Sequence, residues 1–181
     1  MKDRLHIGCG KNYLPPEQGW VNHDAMSCVK ADVYCDMSAL PFDRESFREI
    51  YASHVLEHAH RHQVLSTLVH WRSLLKPGGI LKLAVPDFEA VVKHYVRYHD
   101  IPAITGLLYG GQDTPNNMHH IAFDMIYIQG LLLKAGFTDI KRWEWRTTDH
   151  ADFDDFSQCY LPHMNKDSGM LMSLNVQATK P

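Results

Sequence analysis

The sequence predicts a single α/β domain built on a mostly parallel β-sheet. Short apolar segments with the length of strands alternate along the chain with amphipathic segments that have the period of a helix. The 181 residues are 45% apolar and 22% charged, which is typical of a globular domain and excludes a disordered chain or a coiled coil. Because no repeat or linker divides the chain, we expect one domain over residues 1–181.

Four strands are predicted in the first third of the chain. Residues 4–7 form a short apolar strand that runs directly into Gly8-Cys9-Gly10. The same pattern of a short apolar run that ends in polar residues recurs three times. These three further strands are expected at residues 20–24, 31–34 and 49–53.

The first long helix is expected at residues 60–75, where apolar side chains form one stripe. Lys76-Pro77-Gly78-Gly79 ends it, since proline and glycine follow helix ends. The remaining elements follow in order: a strand at 80–85, helices at 88–98 and 102–109, a loop at 110–120, a helix at 123–135, and strands at 139–145 and 170–179, separated by a polar loop at 147–168.

The first three strands lie close together in the sequence. Only 9 residues separate Gly10 from Trp20, and 6 separate Asp24 from Ala31, whereas a parallel crossover usually needs about a dozen or more. The first helices must therefore be short or missing, and one face of the sheet is expected to be thinly covered. We expect an exposed apolar patch on that face or a second copy of the chain over it, and hence a homodimer.

Composition excludes several classes of partner. The 18 basic and 21 acidic residues give a net charge of −3, so no overall basic field is available to hold a nucleic acid. No apolar run approaches the roughly 20 residues needed to cross a bilayer, and the N-terminus does not have the pattern of a signal peptide. The four cysteines lack metal-binding spacing. We therefore expect reduced thiols, no membrane partner and a cytoplasmic location.

A candidate ligand site lies at the carboxyl ends of the first three strands. The glycine loop Gly8-Cys9-Gly10 lets the backbone approach a ligand, but Tyr13 occupies the sixth position, so the dinucleotide fingerprint G-x-G-x-x-G fails. Asp24 and Asp36 follow the next two strands, where they could accept ribose hydroxyls and an adenine amine respectively. Either aspartate alone could equally cap a turn, but the three features together favour a bound adenosine group.

Six motifs occur in order along nearly the whole chain. They are Leu5-His6-Ile7-Gly8-Cys9-Gly10, Asp36-Met37-Ser38-Ala39-Leu40-Pro41-Phe42, Ser53-His54-Val55-Leu56-Glu57-His58, Leu74-Leu75-Lys76-Pro77-Gly78-Gly79-Ile80, Leu132-Leu133-Lys134-Ala135-Gly136-Phe137 and Ser173-Leu174-Asn175-Val176-Gln177-Ala178. Each is weakly specific, but the ordered set resembles the class I S-adenosylmethionine-dependent methyltransferases, and most closely the small type 11 group.

The resemblance implies a Rossmann-like, seven-stranded, mostly parallel sheet with an antiparallel last strand, in a three-layer αβα arrangement with short or missing first helices. It implies S-adenosylmethionine as the cofactor. Residues 87–123 are expected to be an insertion on the side of the methyl acceptor. The resemblance assigns the cofactor contacts to Gly8, Gly10, Asp24, Asp36, Met37, Ser53 and His54.

The sequence departs from the family pattern in the cofactor loop and before the fourth strand. Asn12 replaces the usual third glycine of the loop, and Glu49 replaces the usual aspartate. The helix that often closes the cofactor pocket is also not expected, since the first strand begins near residue 4. These departures motivate an alternative, a non-catalytic module that binds S-adenosylmethionine or S-adenosylhomocysteine. A nucleotide-dependent oxidoreductase ranks third because the dinucleotide fingerprint fails.

The chain contains 13 histidines, of which His54 and His120 are the candidate catalytic bases. An oxygen or nitrogen acceptor must lose a proton during methyl transfer, and histidine performs that step near neutral pH. For each, the alternative is a surface or hydrogen-bonded loop histidine. No metal site is predicted, because His54, His58 and His62 would form one stripe only on a continuous helix, and His54 is expected to precede the helix.

The function predicted from the sequence is methyl transfer from S-adenosylmethionine to a small molecule or a glycan, with oxygen as the expected acceptor atom. The sequence does not identify the acceptor. Asp155 and Ser157 lie in the long acidic loop, where they either bind the acceptor or belong to a solvated surface.

Overall fold

The computed structural model describes residues 2–163 and 165–181. Met1 and Met164 lie outside the described residues, and Met164 falls within the loop predicted at 147–168. No helix in the described part of the chain has both the length and the apolar character needed to cross a membrane.

A seven-stranded sheet organises the fold. Its strands, in chain order, are β1 (Arg4–Ile7), β2 (Trp20–Asp24), β3 (Val33–Tyr34), β4 (Phe47–Ser53), β5 (Leu75–Pro86), β6 (Thr138–Arg142) and β9 (Ser173–Thr179). They are arranged β3-β2-β1-β4-β5-β9-β6, and only β9 runs antiparallel to its neighbours. A separate two-stranded ribbon joins β7 (Tyr160–Leu161) to β8 (Met170–Leu171). The predicted mostly parallel sheet with an antiparallel last strand is confirmed.

Four α-helices are present in the described chain: α1 (Val64–Leu74), α2 (Phe88–Tyr98), α3 (Ile101–Tyr109) and α4 (Met125–Lys134). The last three begin directly after an aspartate whose carboxylate accepts backbone N–H groups of the first turn, which satisfies donors that have no partner within the helix. These caps are Asp87, Asp100 and Asp124.

The main core lies between the sheet and helices α1 and α4. Alternate residues of a strand point to opposite faces, so Leu5, Ile7 and Ile50 share the face that these helices cover. Trp71 of α1 and Leu132 of α4 are fully buried in the same cluster. This apolar layer holds the carboxyl ends of β1 and β4 in fixed positions.

The opposite face of the sheet is filled by loops. Between β1 and β2 the chain forms only the short 3-10 turn Pro16–Gln18, so the expected short or missing first helices are confirmed. Trp20 and Tyr51 are nevertheless fully buried, because Leu14, Trp143 and Phe153 pack around them. The expectation of a thinly covered face with an exposed apolar patch is therefore wrong: irregular segments of the same chain supply the missing layer.

Several strand boundaries differ from those predicted. β3 begins at Val33 and not at residue 31, β4 at Phe47 and not at residue 49, and β5 at Leu75 and not at residue 80. The strand predicted at 139–145 ends earlier, because β6 stops at Arg142 and Trp145 lies in a 3-10 turn. The Trp143 indole donates a hydrogen bond to the backbone carbonyl of Leu83, 3.0 Å away. The predicted strand at 170–179 is interrupted at Met172, which is buried in a second apolar cluster with α2 and α3.

The two ends of the segment 87–123 lie side by side. The backbone N–H of Phe88 donates to the carbonyl of Phe123 at 2.9 Å, and Asp87 and Phe123 form a parallel bridge. Adjacent ends are the geometry of an inserted segment, although the assignment of this segment to the acceptor side stays a prediction. Its loop brings His119 and His120 back beside the end of β4, where the backbone N–H of His120 donates to the carbonyl of Glu57 at 2.9 Å.

Candidate active site

A cavity of about 800 Å³ opens beyond the carboxyl ends of β1, β2 and β4. That volume lies within the usual range for sites of small molecules and cofactors. The structure brings together in its walls the residues predicted for cofactor binding and catalysis. They are Gly8, Gly10, Asp24, Asp36, Met37, Ser53, His54 and His120.

Gly8 allows the backbone to pass close beneath the cavity. Its φ of +65° lies in the left-handed region, and a Cβ on this residue would come within 2.3 Å of Val55 Cγ2. Gly10 also has a positive φ, +52°, but a Cβ there would meet nothing within 4 Å. The first glycine is therefore required by both space and conformation, and the second by conformation alone.

Asp24 joins the glycine loop to the end of β2. Its two carboxylate oxygens accept hydrogen bonds from the backbone N–H groups of Gly10 and Met26, at 2.8 and 2.9 Å. The residue is only 5% exposed and lines the cavity. Since each carboxylate oxygen can accept a second hydrogen bond, Asp24 can still bind the paired hydroxyls of a ribose.

Asp36 and Met37 line the wall beyond β3. Both the backbone N–H and the hydroxyl of Ser38 donate to Asp36 Oδ1, and these bonds hold the pKa of Asp36 below its ordinary value. The Trp71 indole donates to the carbonyl of Met37 at 2.8 Å, which anchors this turn to α1. The Asp36 carboxylate is therefore ionised and suited to accept an amine donor.

Ser53 and His54 follow β4 at the centre of the cavity wall. Ser53 Oγ is buried and has no hydrogen-bond partner among the described residues, so it is available to a bound molecule. His54 has a φ of +53° and a buried ring, whose Nε2 lies 3.1 Å from Ser173 Oγ. Burial lowers the pKa of His54 to about 3. The ring is therefore neutral at pH 7 and is a weak proton acceptor.

His120 lines a solvent-exposed part of the same cavity. Its side chain is exposed, and its ring stacks on that of His60 with the centroids 4.2 Å apart. Unlike His54, this imidazole faces solvent and the cavity, where it can exchange protons with an acceptor.

Asp155 and Ser157 have structural partners. One Asp155 carboxylate oxygen accepts a hydrogen bond from the buried Tyr51 hydroxyl, and the other accepts the backbone N–H of Ser157 at 2.9 Å. Burial and the adjacent carboxylate raise the pKa of Tyr51. Ser157 is buried, whereas Asp155 lines the cavity, so only Asp155 is available for contact with an acceptor.

Glu57 and His119 are notable residues that sequence reasoning did not identify as site residues. The Glu57 side chain is completely buried, and burial raises its pKa to about 8. In the sequence, the nearest helical partner of His58 is His62, which is exposed, and two histidines are too few ligands for a metal site. His119 comes from a loop 61 positions further along the chain than His58, so only folding could reveal that it lies near Glu57.

The residues present fit an adenosine-containing cofactor. Gly10 leaves open space beside the backbone, and Asp24 retains free acceptor positions. The Ser53 hydroxyl, which has no hydrogen-bond partner among the described residues, faces the same cavity. These features lie at the switch point of the sheet, between β1 and β4, where open α/β folds bind ligands.

Comparison with known families gives a match to the methyltransferase domain over residues 18–83. The matched region contains Asp24, Asp36 and the turn that follows β4. No curated protein matches the chain.

Solved structures share the fold at low sequence identity. An S-adenosylmethionine-dependent methyltransferase from Thermotoga maritima, described as a possible histamine N-methyltransferase, is 15% identical with a TM-score of 0.63, covering 99% of this chain and 82% of that one. An S-adenosylmethionine-dependent methyltransferase from Archaeoglobus fulgidus is 16% identical with a TM-score of 0.61, covering 99% and 86%.

A third structure holds a ligand. The 1,6-didemethyltoxoflavin-N1-methyltransferase of Burkholderia thailandensis has bound 1,6-didemethyltoxoflavin and S-adenosylhomocysteine. It is 16% identical, has a TM-score of 0.56, and covers 98% of this chain and 70% of that one. The domain match and the shared fold confirm the resemblance predicted from the ordered motifs.

Proposed function

We propose that this chain, an S-adenosylmethionine-dependent methyltransferase by its domain match and fold, transfers the methyl group to a hydroxyl of a small molecule or sugar. One observation carries the proposal. The cavity that contains the glycine loop and Asp24 continues without interruption to His54, His58 and His120. Cofactor and acceptor can therefore meet in one enclosed space.

The residues on one side of the cavity bind and orient the cofactor. S-adenosylmethionine supplies an electrophilic methyl group on a sulfonium. Asp24 accepts the ribose hydroxyls, Asp36 and Met37 contact the adenine, and the glycine loop passes beneath the methionine portion. Ser53 faces the sulfonium end. Holding the donor in this way reduces the entropic barrier of an in-line displacement.

A residue on the acceptor side of the cavity removes the proton of the acceptor hydroxyl. We assign the role of base to His120, because its ring faces the cavity and is open to solvent. The neutral, buried His54 then shapes the wall beside the reacting atoms, and does not act as the base. The polar segment 113–117 at the cavity rim suits a hydroxylated acceptor such as a sugar.

The proposal is tested first by binding and then by turnover. We expect S-adenosylmethionine and S-adenosylhomocysteine to bind in calorimetric titration, and NAD not to bind. Radiolabelled methyl transfer is then measured with a panel of sugars, small alcohols and amines. No binding of either S-adenosyl compound would contradict the proposal. Binding without transfer would favour the non-catalytic module, and transfer only to amines would reject oxygen as the acceptor.

The role of His120 is tested by His120→Asn. We expect turnover to fall by about 100-fold or more, the usual contribution of a general base, while the Kd for S-adenosylhomocysteine stays unchanged. His62→Asn, which alters an exposed histidine outside the cavity, is the matched control. Equal turnover in the two variants would remove His120 as the base.

The homodimer and the cytoplasmic location stay predictions. The sheet face expected to be thinly covered offers no apolar surface for a second copy, because loops of the same chain bury Trp20 and Tyr51. Light scattering at micromolar concentration decides between a monomer and a dimer.

A further inference from the structure

Glu57 is a buried carboxyl group that lacks a hydrogen-bond donor. Its side chain is 0% exposed, and neither carboxylate oxygen has a hydrogen-bond partner among the described residues. Burying a polar group without a partner is unfavourable, and folded proteins rarely leave one in this state. The position of Glu57 therefore needs an explanation beyond packing.

Imidazole nitrogens surround this carboxyl group. His54 Nδ1 lies 3.5 Å from Glu57 Oε1, and His119 Nε2 lies 3.9 Å from the same oxygen. Glu57, His58 and His119 each place one ligand atom within 4.8 Å of the others. In a tetrahedral zinc site, neighbouring ligand atoms lie about 3.4 Å apart.

His58 and His119 are each held in place through Nδ1, which leaves Nε2 for a ligand. His58 Nδ1 lies 3.1 Å from the carbonyl oxygen of Met118, and His119 Nδ1 lies 3.0 Å from that of Leu107. With Nδ1–H donating to a backbone carbonyl, Nε2 is left unprotonated and free to bind a cation. This is the arrangement that proteins use to orient metal-binding histidines.

We propose that Glu57, His58 and His119 bind a divalent transition-metal ion of the zinc type in the wall of the cavity. Two imidazoles and one carboxylate form a ligand set found in zinc enzymes, and three protein ligands leave a coordination position open. His58 lines the cavity, so the ion lies beside the space assigned to the acceptor. In this proposal, the segment 110–120 places the ligand His119 beside Glu57, near the end of β4.

The role of the ion rests on the proposed function. An acceptor hydroxyl that coordinates the metal loses its proton more readily. The proton passes to His120, and an oxygen electron pair forms the new O–CH₃ bond. The S–CH₃ bond breaks, and its electrons remain on sulfur.

The test is a metal titration of chelator-treated protein with Co²⁺ and Zn²⁺. We expect one equivalent of Zn²⁺ to bind by calorimetry, and Co²⁺ to give visible absorption bands of a low-symmetry site containing nitrogen ligands. Zn²⁺ should also raise the Tm, since an ion that binds only the folded state stabilises it. Absence of stoichiometric binding of both metals would overturn the proposal.

Variants assign the site. Glu57→Gln and His119→Gln should each weaken Zn²⁺ binding at least 10-fold, whereas His62→Gln should leave it unchanged. Binding of S-adenosylhomocysteine is measured in every variant to show that the fold is intact. If Glu57→Gln does not fold, His119→Gln and His58→Gln decide the matter, because both residues lie nearer the surface. Unchanged Zn²⁺ affinity in the folded variants would place the metal elsewhere and overturn the proposal.

The metal site and the proposed function fail in distinguishable ways. Zn²⁺ binding that depends on Glu57 supports the site even if no methyl acceptor is found. Conversely, binding of S-adenosylhomocysteine and methyl transfer that is unaffected by chelation would support the function and reject the role of the ion.

Discussion

At the scale of single residues, Asp24 has two roles, of which the sequence predicts one. It tethers the glycine loop through the Gly10 N–H, and it retains acceptor positions that face the cavity. The position of Asp24 at the end of β2 predicts that it binds a ligand. Only the structure shows that the same carboxylate also holds the loop in place.

Replacing Asp24 by alanine should therefore weaken cofactor binding. We expect the affinity for S-adenosylhomocysteine to fall by about 1–3 kcal/mol, since hydrogen bonds to a charged group are lost. Calorimetric titration measures the effect, and Asp43→Ala, at an exposed aspartate, is the control. Equal affinities in the two variants would show that Asp24 does not contact the cofactor.

The two glycines of the loop offer a matched pair of substitutions. Both have positive φ, so alanine at either position should cost about 1 kcal/mol of stability. Gly8→Ala should lose about 1–3 kcal/mol more than Gly10→Ala, because its new methyl group would overlap Val55. Urea denaturation measures both variants.

The double variant Gly8→Ala/Val55→Ala isolates the overlap with Val55. Removing the Val55 methyl groups should recover part of the additional loss, after correction for Val55→Ala alone. A purely additive result would mean that the close contact does not determine the choice of glycine.

At the scale of elements, the loop 143–158 covers the face of the sheet that no helix covers. Arg4 of β1 donates to both Asp149 carboxylate oxygens, at 2.6 and 2.9 Å, and Trp143 and Phe153 pack over Tyr51. A loop can cover the sheet here because its large aromatic side chains fill the space that a helix would occupy, while the ion pair fixes its position.

The Arg4–Asp149 pair should make the attachment of this loop sensitive to acid. Arg4 lowers the pKa of Asp149 to about 2, below the value of about 3.9 expected in the unfolded chain. The pair therefore stabilises the fold above pH 4, and this contribution is lost as the pH falls from about 4 to 2. Since the carboxylate is 51% exposed, solvent screening limits it to about 0.5–1 kcal/mol.

Asp149→Asn tests this contribution. The variant should be less stable than the original chain at pH 6, and the difference should shrink as the pH falls toward 2. Urea denaturation as a function of pH provides the measurement, with exposed Asp152→Asn as the control. A difference that is independent of pH would exclude the ion pair as its cause.

At the scale of the whole molecule, buried histidines should make the fold less stable in mild acid. His6 is 2% exposed and packs against Trp20 and Tyr51, and burial lowers its pKa to about 3. The unfolded chain, with a histidine pKa of about 6.5, binds the proton more readily over the intervening range. Stability should therefore fall as the pH drops from about 6.5 toward 3.

His6→Gln should flatten this dependence. Glutamine keeps a donor for Asn22 but does not titrate, so the variant should lose stability less steeply between pH 6.5 and 4.5, by up to about 1 kcal/mol per pH unit. Denaturant unfolding at several pH values provides the comparison, and exposed His62→Gln is the control. Parallel curves for the two variants would show that His6 is not responsible.

Much of the fold and of the cofactor side could be predicted because their signals are local. A strand that ends in Gly8-Cys9-Gly10, an aspartate at the end of β2, and helix stops after α1 are each contained within a few residues. The coverage of the second sheet face could not be predicted, because Leu14, Trp143 and Phe153 come from distant segments. The sequence also could not exclude His54 as the catalytic base, because the burial that lowers the pKa of its ring exists only in the tertiary structure.

The sequence by itself determined where strands and helices occur along the chain, the antiparallel last strand through the resemblance, and the residues that line the cavity beyond β1, β2 and β4. Periodicity and turn chemistry act over short distances, so they are visible in the chain before it folds. Only the tertiary structure decided the environment of Glu57. Its burial and its closeness to His119 depend on a loop that returns to the end of β4 from 61 residues beyond His58, and desolvation exists only once that packing has formed.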